Sequence, residues 1–270
     1  MGYTFKVLHH GREPGARPLY SAAVKPSGFV VYEGPSMLDG APIVCILTGL
    51  GKASTNEKTG GGLYQTWIMR SDVNPIAAVN SGDDASICGD CKHRGTIENG
   101  KNVNRSCYVT LFQAPRNVWE SYHRGIYPRL PLNAARECLT GRVRGGSYGD
   151  PAAVPFHVWQ ALLHEQPSGT AYTHQWRRFP ELAVFCMASV DSEQEKLEAN
   201  LLGFRTFRVR GQANRKLAGE VICPASKEAN HRTTCDKCLA CGGHNAKARA
   251  DIVIMAHGAA GKVNAFELRT

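Results

Sequence analysis

Cysteine placement constrains this chain more than any other feature. Seven of its ten cysteines fall into two tight groups: Cys88, Cys91 and Cys107, then Cys223, Cys235, Cys238 and Cys241. The opening MGYTFKVLHHGREPG has no apolar stretch of the kind a secretory signal needs. Lys6 stands where a myristoylation signal carries Ser or Thr. No apolar run approaches the roughly 20 residues of a membrane helix. The expectation is a cytoplasmic chain, in which clustered cysteines signify metal rather than disulfides. The other three cysteines are isolated: Cys45 in PIVCIL, Cys138 in LNAARECL and Cys186 in LAVFCMAS. They read as small core side chains.

The C-terminal group carries the stronger metal signal. Cys223-Pro is followed, eleven residues later, by Cys235-x2-Cys238-x2-Cys241. A [4Fe–4S] cubane presents its irons at separate corners, so a tight loop can wrap three while a distant cysteine closes the fourth. Bacterial ferredoxins use this run with a remote Cys-Pro. Zinc favours two pairs converging on one small ion and stands as the alternative. Gly242 and Gly243 would let backbone amides approach the sulfurs.

The first group has three local cysteines, Cys88-x2-Cys91 and then Cys107 after fifteen residues. As a zinc staple it would need a fourth ligand, and His93 is the nearest candidate, though His93 can equally be a solvated loop residue. As a cluster site it would leave one iron open, which suits substrate chemistry.

The rest of the chain predicts an α/β fold. Strands are expected over 24–32, 41–50, 63–70, 142–150, 170–176, 181–190, 204–211 and 250–258. Helices are expected over 73–82, 114–125, 132–141, 154–165 and 192–203. Strand–helix alternation from 142 to 258 implies parallel strands and fits a partial (β/α) barrel carrying the two metal-binding cysteine loops. Residues 1–62 read as an N-terminal strand and loop extension packed on the core, and 63–270 as the barrel.

On that architecture chemistry would collect where strands end. Asp150, His174 and His257 become catalytic candidates, with Ser189, Asp191 and Arg210 at the same edge. Each has a plainer alternative: Asp150 precedes Pro151 and a helix and suits a cap, and the two histidines suit a satisfied core. Lys58, in Asn56-x-Lys58-Thr59-Gly60, could grip an anionic cofactor or simply face water. The four tryptophans lie in regular elements and read as core. GGSYGDP lacks the pattern of a phosphate loop, and GxSxG, HExxH and a Walker loop are absent. The formal charge of +9 favours anionic partners such as nucleic acid or nucleotides. Two bound clusters would lower it to roughly +6.

The strings PSMLDGAPIVCILTGL, STNEKTG, QTWIMR, CGDCKHR, CYV, SYGDPAAVP, YTHQW, CMASVDS, GFRTFRV and CPAS…TCDKCLAC resemble an uncharacterised family of phage and bacterial cysteine-rich proteins, over about residues 35–258. A more distant likeness is to a phage family with a cysteine loop and a strand ending in SGD, here Tyr148-Gly149-Asp150. The resemblance implies phage or mobile-element kinship and brings no reaction with it. The arrangement is also similar, more weakly, to radical S-adenosylmethionine enzymes, which place a three-cysteine cluster after an early strand of a partial barrel. Their C-x3-C-x2-C run is missing here.

These readings converge on an iron–sulfur protein with one or two [4Fe–4S] clusters. The expected activity is redox or radical-type chemistry on a nucleotide, nucleic acid or modified side chain. The rival is a non-enzymatic nucleic-acid-binding protein whose metals only staple loops. A third reading is a phage-encoded protein acting on a host partner.

Overall fold

A computed structural model describes residues 26–51, 56–163, 169–243 and 249–269. The expectation for the first 25 residues lies outside them. The fold is mixed α/β, built on a nine-stranded sheet. Three strands open it as an antiparallel meander: β1 (Gly28–Pro35), β2 (Pro42–Thr48) and β3 (Leu63–Arg70). β2 is apolar at nearly every position because it is covered on both faces, and Ile43 to Leu47 are fully buried. The described part of the expected N-terminal extension thus supplies the first two strands of the main sheet.

A long excursion follows β3. It holds α1 (Pro75–Ser81), α2 (Ala85–Cys88), the small hairpin β4 (Thr96–Glu98) and β5 (Lys101–Val103), α3 (Ala114–His123) and α4 (Leu132–Glu137). β6 (Arg142–Tyr148) then pairs with β3 in parallel. From there α5 (Phe156–Leu163), β7 (Thr170–Thr173), β8 (Met187–Val190), α6 (Glu193–Leu201) and β9 (Thr206–Arg210) alternate. The chain ends with β10 (Glu220–Ile222), α7 (Cys235–Cys238), β11 (Asp251–Met255) and α8 (Ala260–Glu267).

The order across the sheet is β1-β2-β3-β6-β7-β8-β9-β11-β10, and every pairing from β3 onward is parallel. Neighbours in the chain are therefore almost always neighbours in the sheet. The one exchange, β10 outside β11, lets the second cysteine loop leave the edge strand and return to β11.

Several elements differ from expectation for local reasons. The apolar run 181–190 splits into a 3-10 turn at Pro180–Val184 and the short β8. Such a run has no period of its own, and a proline at its head favours a turn. The hairpin β4–β5, the three-residue β10 and α8 were not expected; the first two are too short to carry a period. Trp159 and Trp176 sit in the core and Trp67 and Trp119 pack half-buried against it, each with its indole N–H satisfied. Trp159 donates to the Pro151 carbonyl at 2.9 Å and Trp176 to that of Ser189 at 3.2 Å. Trp67 donates to Thr48 Oγ1 at 2.8 Å and Trp119 to the Arg70 carbonyl at 2.9 Å. Cys45 and Cys186 are fully buried, as isolated apolar cysteines should be.

The turn that ends β6 is the tightest point between β3 and the strand ends. Gly149 has φ +78°, and a Cβ there would lie 2.6 Å from the Ile68 carbonyl oxygen. Gly40 has nearly the same dihedral, φ +80°, with open space around it. Gly40→Ala should cost about 1 kcal/mol from backbone strain alone, and Gly149→Ala roughly 3 kcal/mol or more once the clash is added. Urea denaturation of the two variants tests this, and equal losses would contradict the crowding.

Candidate functional site

A cavity of about 430 Å³ opens beside the parallel strands, and all seven grouped cysteines line it. Strand alternation supplies its floor. On β7 and just beyond, Thr170, Tyr172 and His174 face it, and on β9 Phe207 and Val209 do. The intervening Ala171, Thr173, Thr206 and Arg208 are buried away from it. Asp150, His174 and His257, together with Lys58, also border the cavity. Ser189 borders it too, whereas Arg210 pairs with Glu228 instead.

The C-terminal cysteine loop is laced to the sheet through its backbone. Cys223 N–H donates to the Val253 carbonyl at 2.8 Å, and Ala171 N–H donates to the Cys241 carbonyl at 3.0 Å. Cys235 and Asp236 N–H groups donate to the carbonyls of Lys58 and Thr59 at 2.9 and 3.1 Å. The loop of residues 56–60 is thereby docked on α7. Asn56 Oδ1 shapes it, accepting from the N–H groups of Lys58 and Thr59, both at 3.0 Å. Arg205 closes the other side, donating to the carbonyls of Ala240, Gly243 and Ala250 at 2.8, 3.0 and 2.7 Å.

The first cysteine loop is likewise held by polar side chains on carbonyls rather than by an apolar face, which is why it has no periodicity. Arg94 donates to Gly89 O, Gly82 O and Asp84 Oδ1 at 2.8, 2.7 and 2.6 Å. Arg105 donates to Cys107 O and Val109 O at 3.1 and 3.2 Å. Gln175 Nε2 reaches Cys88 O at 3.2 Å and Asp90 Oδ1 at 2.6 Å. Cys107 N–H donates to the His93 carbonyl at 2.9 Å, closing the loop.

All ten cysteines are unbridged thiols. Within each group the sulfurs lie near enough to feel one another's charge. No three cysteine sulfurs meet within 4.8 Å of one another among the described residues. Burial pushes the Cys91 and Cys241 thiols up to about 12 and raises those of Cys88, Cys107, Cys223 and Cys235. Three of the sulfurs accept a backbone N–H from two residues on: Cys91 from His93, Cys107 from Val109 and Cys223 from Ala225. Tyr172 donates its hydroxyl to the Cys241 sulfur. Such donors favour the thiolate and are the hydrogen bonds that tune a bound metal centre. Near the first group the buried Tyr148 hydroxyl has no hydrogen-bond partner among the described residues.

The candidate catalytic residues are not alike. Asp150 is buried with both oxygens engaged: Oδ1 accepts from Ala152 N–H at 3.0 Å and Oδ2 from His174 N–H at 2.8 Å. It ties the end of β6 to the end of β7, and those bonds favour its ionised form against the opposing effect of burial. His257 Nδ1 donates to the Met255 carbonyl at 3.0 Å, so Nε2 is left to accept from Lys58 Nζ at 3.1 Å. Burial and the Lys58 charge hold His257 below its ordinary value. Burial also lowers Lys58, against the opposing charges of Cys223 and Cys235.

His93 is turned away from the sulfurs. Its ring lies 5.4 Å from that of His174, with Nε2 at 3.2 Å from Asp191 Oδ1. His93, His174 and Asp191 place one ligand atom each within 4.8 Å of the others. Sequence reasoning had each of these residues separately and missed their meeting. It also missed Tyr172, although period-two counting back from His174 puts both on one face of β7.

No protein-family model matches the chain, and no curated protein or solved structure matches it. Among the described residues no helix is long and apolar enough to cross a membrane.

The Lys58–His257 contact has a measurable sign. A histidine held below the usual 6.5 stays neutral in the fold while the unfolded chain takes up the proton first. Its contribution to stability is complete above about pH 6.5 and declines as pH falls through the folded value. Lys58→Met removes the adjacent charge, so His257 should titrate higher than in the parent when followed by imidazole NMR. An unchanged titration would mean that burial alone sets it.

Proposed function

We propose that the chain is an iron–sulfur protein, with a [4Fe–4S] cluster on each cysteine group. In this reading it performs redox or radical-type chemistry on a nucleotide, nucleic acid or modified side chain admitted to the cavity. The observation that carries the proposal is that both cysteine groups line one cavity against the parallel strands. The near-sequential strand order fits a partial (β/α) barrel.

The residues present fit such a group. Lys58, Arg105, Arg144, Arg205 and Lys262 all stand near the cysteine sulfurs. Among the described residues none of the five has a carboxylate within ion-pair distance. Crowded cations without anions are unfavourable, and thiolate-ligated clusters would supply the missing negative charge.

When bound, such clusters supply one-electron transfer. With three cysteines, the first group would leave one iron without a protein thiolate, free for substrate, and we assign it the reactive role. The four-cysteine group is structural or electron-transferring. His257 faces the cavity as a proton carrier, Lys58 offsets negative charge, and Asp150, through its bond from His174 N–H, positions the ends of β6 and β7. Kinship with phage or mobile-element proteins belongs to the same reading. A metal-stapled nucleic-acid binder, with zinc in place of clusters, is the second reading, favoured by the net charge of +9. Steep loss of DNA or RNA affinity with salt, without bound sulfide, would select it.

Anaerobic purification should yield about eight iron and eight sulfide per chain. Zinc without sulfide would remove the redox reading. Cys91→Ser should lose about half the iron with the circular dichroism of the sheet intact, and Cys238→Ser should lose the other half and expose the C-terminal loop to protease. Tyr172→Phe removes a donor to the Cys241 sulfur. It should lower the potential of one cluster by roughly 40 mV, the equivalent of about 1 kcal/mol. An unmoved potential would dissociate Tyr172 from any centre on Cys241.

A further inference from the structure

We propose that His93, His174 and Asp191 form a separate site for one divalent transition-metal ion, with coordination positions open toward the cavity. The site does not depend on what the cysteines hold. His174 follows β7, Asp191 follows β8, and His93 comes from the first cysteine loop, so three distant stretches of chain converge on one point. Their ligand atoms lie within 4.8 Å of one another. Ligand atoms around an ion at 2.0–2.2 Å in tetrahedral geometry sit about 3.4 Å apart. The observed 3.2 Å between His93 Nε2 and Asp191 Oδ1 matches that spacing.

The surroundings are those of a built site. His93 Nδ1 lies 2.8 Å from Ser106 Oγ, the second-sphere bond that ligating histidines make through their other nitrogen. With Nδ1–H donating to Ser106, the Nε2 lone pair faces a carboxylate oxygen, an arrangement that needs a cation between them. Phe266 stacks on the His93 ring at 5.7 Å and fixes its plane. Asp191 N–H is held by Glu195 Oε2 at 2.8 Å, and His174 N–H by Asp150 Oδ2 at 2.8 Å. Each ligand is thus anchored through its own backbone.

A metal-free account leaves a remainder. A Ser106–His93–Asp191 relay would satisfy His93, but His174 Nε2 would stay shut from solvent with no hydrogen-bond partner. Arg269 Nη1 also reaches Ser106 Oγ at 3.3 Å and occupies one of its lone pairs. An ion satisfies His93, His174 and Asp191 together. Two histidines and one carboxylate with open positions suit Fe²⁺, Co²⁺ or Zn²⁺, and the open side belongs to the cavity that His93 and His174 line. His93 also joins the two centres, since its backbone N–H donates to the Cys91 sulfur.

Cobalt(II) distinguishes this site from the cysteines. The anaerobically purified full chain, dialysed against a mild chelator, is titrated with Co²⁺ and followed by absorption. One equivalent should give visible ligand-field bands without the near-ultraviolet sulfur-to-cobalt band. His174→Gln and Asp191→Asn should each weaken that equivalent at least tenfold, and Ser106→Ala roughly tenfold through the second sphere. Circular dichroism checks each fold, and a variant that fails it is replaced by the other two. Absence of the equivalent in the parent, unchanged affinity in the folded variants, or a sulfur band on that equivalent would each overturn the site.

Discussion

Burial of sulfur around one cavity against the parallel strands is the constraint on which the rest of the structure depends. Seven thiols line one cavity, and burial disfavours the charged form of Cys88, Cys91, Cys107, Cys223, Cys235 and Cys241. A cluster of neutral thiols makes only weak hydrogen bonds. Yet three of the seven sulfurs are served by backbone N–H groups and one by a tyrosine hydroxyl. Donors directed at sulfur favour the thiolate, the form that the proposed clusters would need.

The scaffold around those sulfurs departs from ordinary core logic. Away from the cavity the core is filled by apolar side chains such as Trp159, Trp176 and Ile43 to Leu47 of β2. The cysteine loops are fastened by arginine guanidinium groups to backbone carbonyls: Arg94 and Arg105 on the first loop, Arg205 on the second. A guanidinium offers five donors in a planar fork, so one side chain can gather carbonyls from several turns of irregular chain. It gives a loop a defined shape without an apolar face, and it brings positive charge to the edge where sulfur collects.

This division explains what could be read from sequence. The cysteine groups were legible because ligand spacing is local, and β2, β3 and α6 because their periods or caps are local too. Ser192, accepting from Glu195 N–H at 3.1 Å, is such a signal. The 3-10 turn before β8 was not, since an apolar stretch such as ELAVFCM fits more than one backbone. The contacts that shape the site were harder still. Lys58 with His257 spans 199 residues and His93 with Asp191 spans 98. Nothing in either neighbourhood announces the partner. Asp150 shows the opposite case: Pro151 beside it signalled a capping role, and the carboxylate indeed accepts Ala152 N–H, while its second bond, to His174 N–H, is nonlocal.

The basic balance of the chain takes on a different meaning in this light. A charge of +9 is commonly taken as a surface property directed at nucleic acid. Here Arg205 and Arg105 donate to carbonyls of the cysteine loops, Lys262 donates to the Val109 carbonyl, and Lys58 is committed to His257. Part of the excess is therefore spent inside, next to sulfur, where it lowers the free energy of thiolates and of any anionic group that shares their cavity. Positive charge and cysteine count, which looked like separate features of the sequence, are then two halves of one electrostatic arrangement. Only the cations left over can serve a partner at the surface.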